Sequence, residues 1–186
     1  MKRALDSAAS FVALLLLWPI LLMVVLLIRL ESRGPAIFKQ VRVGRHGRAF
    51  TCYKFRTMFM GTADLPTHEV SAASITALGT YLRRFKIDEL PQLFNVLAGD
   101  MSLVGPRPGL PSQTELFQAR RRLGVFEVRP GITGLAQVRG IDMSNPNRLA
   151  EIDAEYVESQ SIAGDFKLIW ATLRGGGLGI DQVVRT

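Results

Sequence analysis

"AASFVALLLLWPILLMVVLLI", Ala8–Ile28, is an uncharged apolar run near the start of this 186-residue chain. As a helix that rises about 1.5 Å per residue it would be about 30 Å long, which matches the hydrocarbon core of a bilayer. A cleaved signal peptide has a shorter apolar region that ends in a small-residue cleavage site, whereas RLESRGPAIF follows this run. The run therefore predicts a membrane-anchoring segment, which we place at residues 1–33.

Pro19 lies in the middle of the apolar run, where a proline removes one backbone hydrogen bond and kinks a helix. Lys2 and Arg3 precede the run and Arg29 and Arg33 follow it, so the positive-inside rule does not choose an orientation. Two topologies are open. A re-entrant helix, broken at the proline and returning to the cytoplasmic side, would explain the kink and the charges together. A single span that tolerates the proline is the alternative.

The remainder, residues 34–186, is long enough for one globular domain and too short for two. The net charge is +7 and most basic residues are arginines, whose planar guanidinium groups bind phosphate in a bidentate way. This composition favours phosphate-bearing partners such as anionic lipids or nucleotides. Nucleic acid is disfavoured as a partner, because no stacking-aromatic pattern or recognised motif is present. The single cysteine, Cys52, excludes an internal disulfide, and two histidines are too few for a His/Cys metal cluster.

The domain is predicted to be α+β and mainly helical, with a small sheet element. AIFKQVRV and RAFTCYKFRTM flank GRHG, which predicts a β-hairpin. Residues 59–74 are predicted to form a loop, and the tail GGGLGIDQVVRT is expected to be irregular. Several helices are expected to be interfacial, lying on the membrane surface. Helices are predicted at about 75–84, 89–98, 111–123, 147–162 and 165–174.

Two adjacent carboxylates, Asp88 and Glu89, stand at the start of the predicted helix LPQLFNVLAG. Capping a helix is the usual role of an acidic residue at this position. Two features point beyond capping: neighbouring carboxylates repel each other, and three cations lie just upstream between Arg83 and Lys86. An ionised carboxylate beside phosphate-binding cations is a candidate nucleophile or Mg²⁺ ligand.

Two Pro/Gly turns each carry an arginine. In SLVGPRPG, Pro106 and Pro108 bracket Arg107 and limit the directions in which its side chain can point. RPGITGLAQVRG repeats this arrangement, with Gln137 and Arg139 after its turn. A side chain held by a rigid turn is more useful to a ligand than to solubility, although such turns are also common without a ligand.

Two basic residues also lie at the end of the second predicted strand, in the segment YKFRTM. Lys54 and Arg56 are two residues apart, so they are predicted to point to the same strand face. Basic side chains at strand ends are usually solvated. This pair therefore indicates a binding site only when it is taken together with the other motifs.

In chain order, GPAIFKQVRVGRHGRAFTCYKFRTM, KIDELPQLFNVLAGDMSLVGPRP and RPGITGLAQVRG closely resemble the bacterial sugar transferase family, the monotopic phosphoglycosyl transferases. The likeness continues to EYVESQSIAGDFKLIWATL and covers nearly the whole chain. No further membrane bundle or added domain is evident, so a minimal catalytic core is expected. Two motifs depart from the family: Trp18-Pro19 replaces the usual Ser-Pro, and Phe85-Lys86 replaces a common Thr-Ser.

The resemblance implies a Mg²⁺-dependent enzyme in the bacterial inner (cytoplasmic) membrane, with its catalytic domain on the cytoplasmic face. Such an enzyme moves a phospho-sugar from a UDP-sugar to a polyprenyl (undecaprenyl) phosphate and releases UMP. This is the first membrane step in the assembly of O-antigen, capsule, exopolysaccharide or glycoprotein glycans. The resemblance also implies a re-entrant membrane helix, and it leaves a homodimer open.

The resemblance further implies a covalent phospho-sugar intermediate on Asp88, with Glu89 as its partner in positioning or proton handling. Lys54, Arg83 and Arg107 match positions that are expected to contact phosphate or substrate. Asp88 is also the candidate Mg²⁺ ligand. The complete candidate substrate-binding set is Lys54, Arg56, Arg83, Arg107, Pro108, Gln137 and Arg139.

A different class of function is a non-enzymatic, membrane-anchored basic module that binds anionic lipid or a partner. Such a module would need the arginines but not the Asp-Glu pair. Its lipid binding would weaken with salt and would tolerate the replacement of Asp88 by Asn.

Overall fold

The computed structural model describes residues 1–61 and 74–175. It has the mainly helical α+β architecture predicted from the sequence, with a long apolar N-terminal helix and small sheet elements. Most of the predicted 59–74 loop and nearly all of the predicted irregular tail lie outside the described residues. The elements are α1 Lys2–Glu31, β1 Ile37–Val43, β2 Ala49–Phe55, α2 Ala77–Arg84, α3 Gln92–Ala98, β3 Ser102–Val104, α4 Thr114–Arg122, β4 Gly131–Thr133, α5 Leu135–Val138, α6 Pro146–Glu158 and α7 Ile162–Leu173.

β1 and β2 form the predicted hairpin. They pair antiparallel, with Ile37 opposite Phe55 and Val43 opposite Ala49. The connection turns at His46 and Gly47, which have φ angles of 57° and 70°. A left-handed conformation at two successive residues is the geometry that lets a short loop reverse an antiparallel pair. The hairpin thereby places the end of β2 beside the turn that carries the two carboxylates.

The two Pro/Gly stretches, predicted only as turns, pack against each other as a short parallel strand pair. Ser102 of β3 lies opposite Gly131 of β4. A Cβ atom on Gly131 would lie 2.0 Å from the backbone nitrogen of Gly105, so only glycine allows this close approach. Gly105 donates to the carbonyl of Thr133 at 2.8 Å, which extends the pairing into the next turn. The contact between the two stretches sets where the Arg107 turn begins.

The predicted helices are present, with ends that differ by a few residues from the predicted ones. The helix predicted from residue 89 begins at Gln92, because Ile87–Glu89 forms a separate 3-10 turn. The helix predicted to continue to residue 162 ends at Glu158. Ser161 accepts a hydrogen bond from the Gly164 amide and so starts α7 instead. The short helix α5 was not predicted.

Helix α1 is continuous through Pro19. By length and composition it could cross a membrane, and little of its apolar surface is buried inside the protein. Leu16 and Trp18, for example, are 70% and 59% exposed. An apolar surface of this extent on one helix is typical of a segment embedded in lipid. The re-entrant path predicted for this helix stays a prediction.

The N-terminal end of α1 is fastened to the globular part of the protein by charged and polar contacts. Lys2 pairs with the carboxylate of Asp165 on α7. The hydroxyl of Ser102 on β3 donates to Asp6 at 2.7 Å, and both residues are buried. These contacts hold the start of the membrane helix against the unit that carries the carboxylates.

The C-terminal end of α1 contacts the same unit. Val24 and Ile28 are buried in an apolar cluster that includes residues of β2 and α2. The Arg56 guanidinium donates to the carbonyls of Ser32 and Arg33, both at 2.8 Å. The globular part of the protein therefore contacts α1 near both of its ends.

Candidate active site

The turn that carries Asp88 and Glu89 connects α2 to α3. It follows Lys86, which has a left-handed φ of 56°. This conformation is uncommon for a residue other than glycine, and residues held in it concentrate at functional sites. The turn presents two neighbouring, partly exposed carboxylates to the end of β2 and to the Arg107 turn.

Glu89 is bound by two cations on one oxygen. Its Oε1 accepts from Lys54 Nζ at 2.9 Å and from Arg107 Nη2 at 2.6 Å. Burial alone would raise the pKa of Glu89, but the charges and hydrogen bonds of Arg107 and Lys54 outweigh burial and hold that pKa well below its usual range. Glu89 is therefore an ionised group that fixes the positions of two cations.

Asp88 is in the opposite situation. Among the described residues, no hydrogen bond or ion pair engages its carboxylate. Burial and the negative charge of Glu89 raise its pKa to about 6, against the opposing charges of Lys54, Arg83 and Arg107. A carboxylate with this pKa is ionised at neutral pH. Since no described residue occupies its oxygens, Asp88 also meets the steric requirement of a nucleophile.

Arg83 is held from the other side of the turn. Its Nε donates to the hydroxyl of Thr57 at 2.9 Å, and Thr57 is buried just after β2. Burial lowers the pKa of Arg83, whereas the charge of Asp88 opposes that effect. A guanidinium remains protonated in either case, so Arg83 places a fixed positive charge near the free carboxylate.

Arg107 uses one nitrogen for Glu89 and keeps others available. The charge of Glu89 raises the pKa of Arg107. Within residues 1–61 and 74–175, only its Nη2 is in a side-chain hydrogen bond, and 29% of its side chain is exposed. The remaining donors are suited to a second anion such as a phosphate.

The family model for bacterial sugar transferases matches residues 1–176. The chain belongs to the bacterial sugar transferase family. The family resemblance seen in the sequence motifs is thereby confirmed.

Several proteins of similar sequence are named as undecaprenyl-phosphate sugar phosphotransferases. The sugar transferase is 41% identical to "Undecaprenyl-phosphate glucose phosphotransferase" of Komagataeibacter xylinus, over 93% of this chain and 35% of that protein. It is 40% identical to "UDP-glucose:undecaprenyl-phosphate glucose-1-phosphate transferase" of Caulobacter vibrioides, over 92% of this chain and 68% of that protein. It is also 40% identical to "Exopolysaccharide production protein PSS" of Rhizobium leguminosarum, over 93% of each chain. The chain thus spans from about a third to nearly all of these relatives.

Some predicted substrate-binding residues of this sugar transferase have other contacts. Lys54 reaches Glu89, whereas Arg56 is 6% exposed and binds carbonyls at the end of α1. Arg139 pairs with Glu155 at 2.6 Å on the surface. The structure therefore places Lys54 beside the carboxylates. Arg56 and Arg139 instead bind the end of α1 and Glu155.

Gln137 and Pro108 contribute backbone contacts. The Gln137 Nε2 donates to the carbonyl of Ile132 at 3.0 Å, and its buried Oε1 has no partner within the described part of the chain. The Pro108 carbonyl accepts from Arg42 at 3.0 Å. Substrate contact by either residue stays a prediction.

Asn95 is a site-supporting residue that the motif analysis missed. It is completely buried on α3, donates to the Thr51 carbonyl at 2.7 Å and accepts from the Tyr53 amide at 3.0 Å. These bonds join α3 to β2 and so set the distance between Lys54 and the carboxylate turn. A lone amide inside the apolar run LFNVLA was the available signal, because a buried polar side chain needs partners.

The carboxylates suit a magnesium ion that also binds phosphates. The described residues contain no group of three side chains that could hold a metal by themselves. Mg²⁺ commonly takes one or two protein carboxylates and completes its shell with water and substrate phosphates. The Asp88 carboxylate, which no described residue binds, fits that donor set, whereas Oε1 of Glu89 already accepts from two cations.

Proposed function

We propose that the protein is a phosphoglycosyl transferase that moves a phospho-sugar from a UDP-sugar to undecaprenyl phosphate and releases UMP. The observation that carries this proposal is the unequal environment of the two carboxylates: Glu89 is bound by Lys54 and Arg107, whereas no group in the described part of the chain binds Asp88. The Caulobacter relative, whose name gives UDP-glucose and undecaprenyl phosphate as its substrates, supports the substrate classes. The proposed step would begin the assembly of a membrane-linked glycan.

In the first step, an oxygen of Asp88 attacks the phosphorus atom that carries the sugar. The new bond joins Asp88 to phosphorus, the phosphoanhydride bond breaks, and UMP leaves with the electron pair. The attacking carboxylate and the diphosphate are both negative, so their approach costs energy. The fixed charges of Lys54, Arg83 and Arg107 lower that cost, as preorganised cations do in phosphoryl transfer.

In the second step, an oxygen of undecaprenyl phosphate attacks the same phosphorus, and Asp88 leaves as a carboxylate. The product is the sugar linked to the lipid through a diphosphate. Glu89 acts by holding Lys54 and Arg107 in place, because a carboxylate with so low a pKa is a poor proton carrier. When bound with the donor, Mg²⁺ would further neutralise the phosphoryl oxygens, and Asp88 is its candidate ligand.

The proposed reaction is tested by incubating the full chain in detergent or nanodiscs with Mg²⁺, undecaprenyl phosphate and a panel of UDP-sugars. Release of UMP that depends on one UDP-sugar is the expected result. Binding to anionic vesicles without UMP release from any donor would instead favour the membrane-anchored basic module. The same assay at several protein concentrations would test a homodimer.

The reaction is expected to depend on pH through Asp88. Its pKa of about 6 predicts that kcat/KM for the donor falls as the pH drops through that value, because the nucleophile becomes protonated. Replacing Glu89 by Gln removes a negative charge that raises this pKa, so the inflection should move to lower pH. The measurement is the initial rate of UMP release between about pH 4.5 and 8. An inflection that stays in place or rises in the variant would contradict the assigned electrostatics.

The topology is part of the proposal: α1 is re-entrant, and both of its ends lie on the cytoplasmic face of the bacterial inner membrane. The contacts of Lys2 with Asp165 and of Arg56 with Ser32 support it, since one unit holds both ends. A straight crossing would separate the ends by about 30 Å of hydrocarbon.

Helix α7 supports an interfacial placement of the globular part. Phe166, Trp170 and Leu173 are 66%, 56% and 75% exposed. Their spacing of three and four residues places them on one helix face. An exposed apolar stripe with a tryptophan is typical of a helix that lies in the membrane surface.

Cysteine labelling tests the topology. Single cysteines at the exposed positions Ala4 and Arg33 should both react with a membrane-impermeant reagent from the same side of sealed vesicles. The buried native Cys52 should react slowly in either orientation, and a C52S background controls for it. Labelling of the two positions from opposite sides would establish a single span.

A further inference from the structure

The backbone that carries Arg107 is held by its carbonyls. The carbonyl oxygens of residues 106–108 each accept one hydrogen bond, and each donor comes from a different part of the chain. The donors are the Gly131 amide at 2.9 Å, Arg120 Nη1 at 2.9 Å and Arg42 Nη1 at 3.0 Å. Three consecutive residues are thus fixed from three sides.

The sequence of this segment explains why it is anchored through its carbonyls. Pro106 and Pro108 have no N–H group, so the segment cannot be anchored through their amides. Both prolines are buried, which removes water as a partner for the carbonyls. The direction of the Arg107 side chain therefore depends on the groups that donate to this backbone.

The contacts of Arg120 fix the direction in which its guanidinium group donates. Its Nε and Nη2 bind Oδ2 of Asp153 at 2.9 and 2.6 Å, and its Nη1 is left for the Arg107 carbonyl. Arg120 and Asp153 are each 2% exposed. A carboxylate that takes two nitrogens fixes the plane of the guanidinium, which aims the third nitrogen.

Arg42 on β1 repeats this arrangement with an amide. Its Nε donates to Oε1 of Gln40 at 2.7 Å, its Nη2 donates to the same oxygen, and its Nη1 donates to the Pro108 carbonyl. Gln40 is 5% exposed. Two arginines, from α4 and from β1, thus reach the same three-residue segment from different elements.

We propose that Arg120, held by Asp153, and Arg42, held by Gln40, are positioning residues. They orient the Arg107 side chain toward Glu89 and toward the phosphate of the UDP-sugar. Within residues 1–61 and 74–175, the cations that bind Glu89 are Lys54 and Arg107, and neither Arg120 nor Arg42 is one of them. Both act through the Arg107 backbone. This inference rests on the proposed transferase reaction, in which Arg107 lowers the cost of phosphoryl transfer.

The test is a double-mutant cycle on UMP release by the full chain. A lysine cannot bind its partner through two nitrogens and the carbonyl through a third, so Arg120→Lys and Arg42→Lys should each lower the rate at saturating UDP-sugar by about tenfold. The half-saturating UDP-sugar concentration should change by less than about threefold. In an Arg107→Ala background, each lysine replacement should change the rate by less than about twofold, since the residue through which it acts is gone.

A matched control separates positioning from stability. Arg122→Lys lies on the same helix as Arg120 and is exposed, so it should retain the wild-type rate. Thermal unfolding of every variant in detergent reports stability separately.

The assignment is overturned if the rate losses of the lysine variants add fully to the rate loss of Arg107→Ala. It is also overturned if both lysine variants fail to fold, since the contacts would then serve stability alone. If only Arg120→Lys fails to fold, the rates of Arg42→Lys and of Arg42→Lys combined with Arg107→Ala test the proposal. Absence of UMP release by the wild-type protein, with every UDP-sugar, would remove the proposed function and this inference together. An active wild type with additive variants would remove only this inference.

Discussion

Replacing Asp88 by Asn is expected to abolish the covalent intermediate and to lower UMP release by at least about 10³-fold, because an amide is a far weaker nucleophile than a carboxylate. Asn has nearly the same shape as Asp, and the described contacts of Asp88 include no hydrogen bond that the change would break. Lys54, Arg83 and Arg107 would remain to bind the donor. The loss should therefore appear in the rate and not in donor binding.

Mass spectrometry of acid-quenched reactions measures this result directly. Wild-type protein incubated with the UDP-sugar alone should gain the mass of one phospho-sugar on the peptide that contains Asp88, and Asp88→Asn should gain none. Asp142→Asn, an exposed aspartate in the loop before α6, is the control and should form the adduct normally. Full activity in Asp88→Asn would remove the nucleophile assignment. So would a wild type that forms no adduct and needs donor and acceptor present together.

Replacing Arg107 by Met is expected to slow adduct formation by about 10²- to 10³-fold, the usual cost of losing one preorganised charge at a developing anion. Two effects combine. The donor phosphate loses the free nitrogens of Arg107, and Glu89 loses one of the two cations that hold its Oε1. The pKa of Glu89 should rise in this variant, since the charge of Arg107 is a main cause of its depression.

Rapid-quench measurement of adduct formation checks the expected loss. Arg107→Lys should recover only part of the rate, because an ammonium group cannot bind Glu89 and a phosphate through a planar fork. Arg148→Met, on an exposed pair within α6, is the charge-matched control and should be close to wild type. A wild-type rate in Arg107→Met would show that this arginine does not serve the reaction.

Motif analysis named Lys54, Glu89 and Arg107, which the structure brings together, but it could not separate the roles of the candidate cations. Lys54 and Arg56 were equivalent in sequence, two residues apart at one strand end. In the structure Lys54 binds Glu89 across 35 positions of chain, whereas Arg56 binds carbonyls at the end of α1. Which cation reaches the carboxylates depends on where α1 and α3 pack against β2. No local pattern contains that information.

Arg120 and Asp153 show the same limit. Arg120 is one of three consecutive arginines, and the sequence does not mark it as different from its neighbours. Packing of α4 against α6 leaves Arg120 2% exposed and its neighbours exposed, and only then does it meet Asp153 and the Arg107 carbonyl. Burial decides which member of a charged run has a defined partner.

The amino-acid sequence by itself determined the features that depend on near neighbours: an apolar helix long enough for a bilayer, a hairpin around GRHG, two carboxylates side by side, and an arginine between two prolines. Backbone geometry and hydrophobic periodicity act over a few residues, so they can be read from the chain. Only the tertiary structure decided that cations bind Glu89 while Asp88 meets no partner within residues 1–61 and 74–175. That difference comes from Coulomb forces between groups that folding brings within about 3 Å of each other, and such forces depend on distance in space and not on distance along the chain.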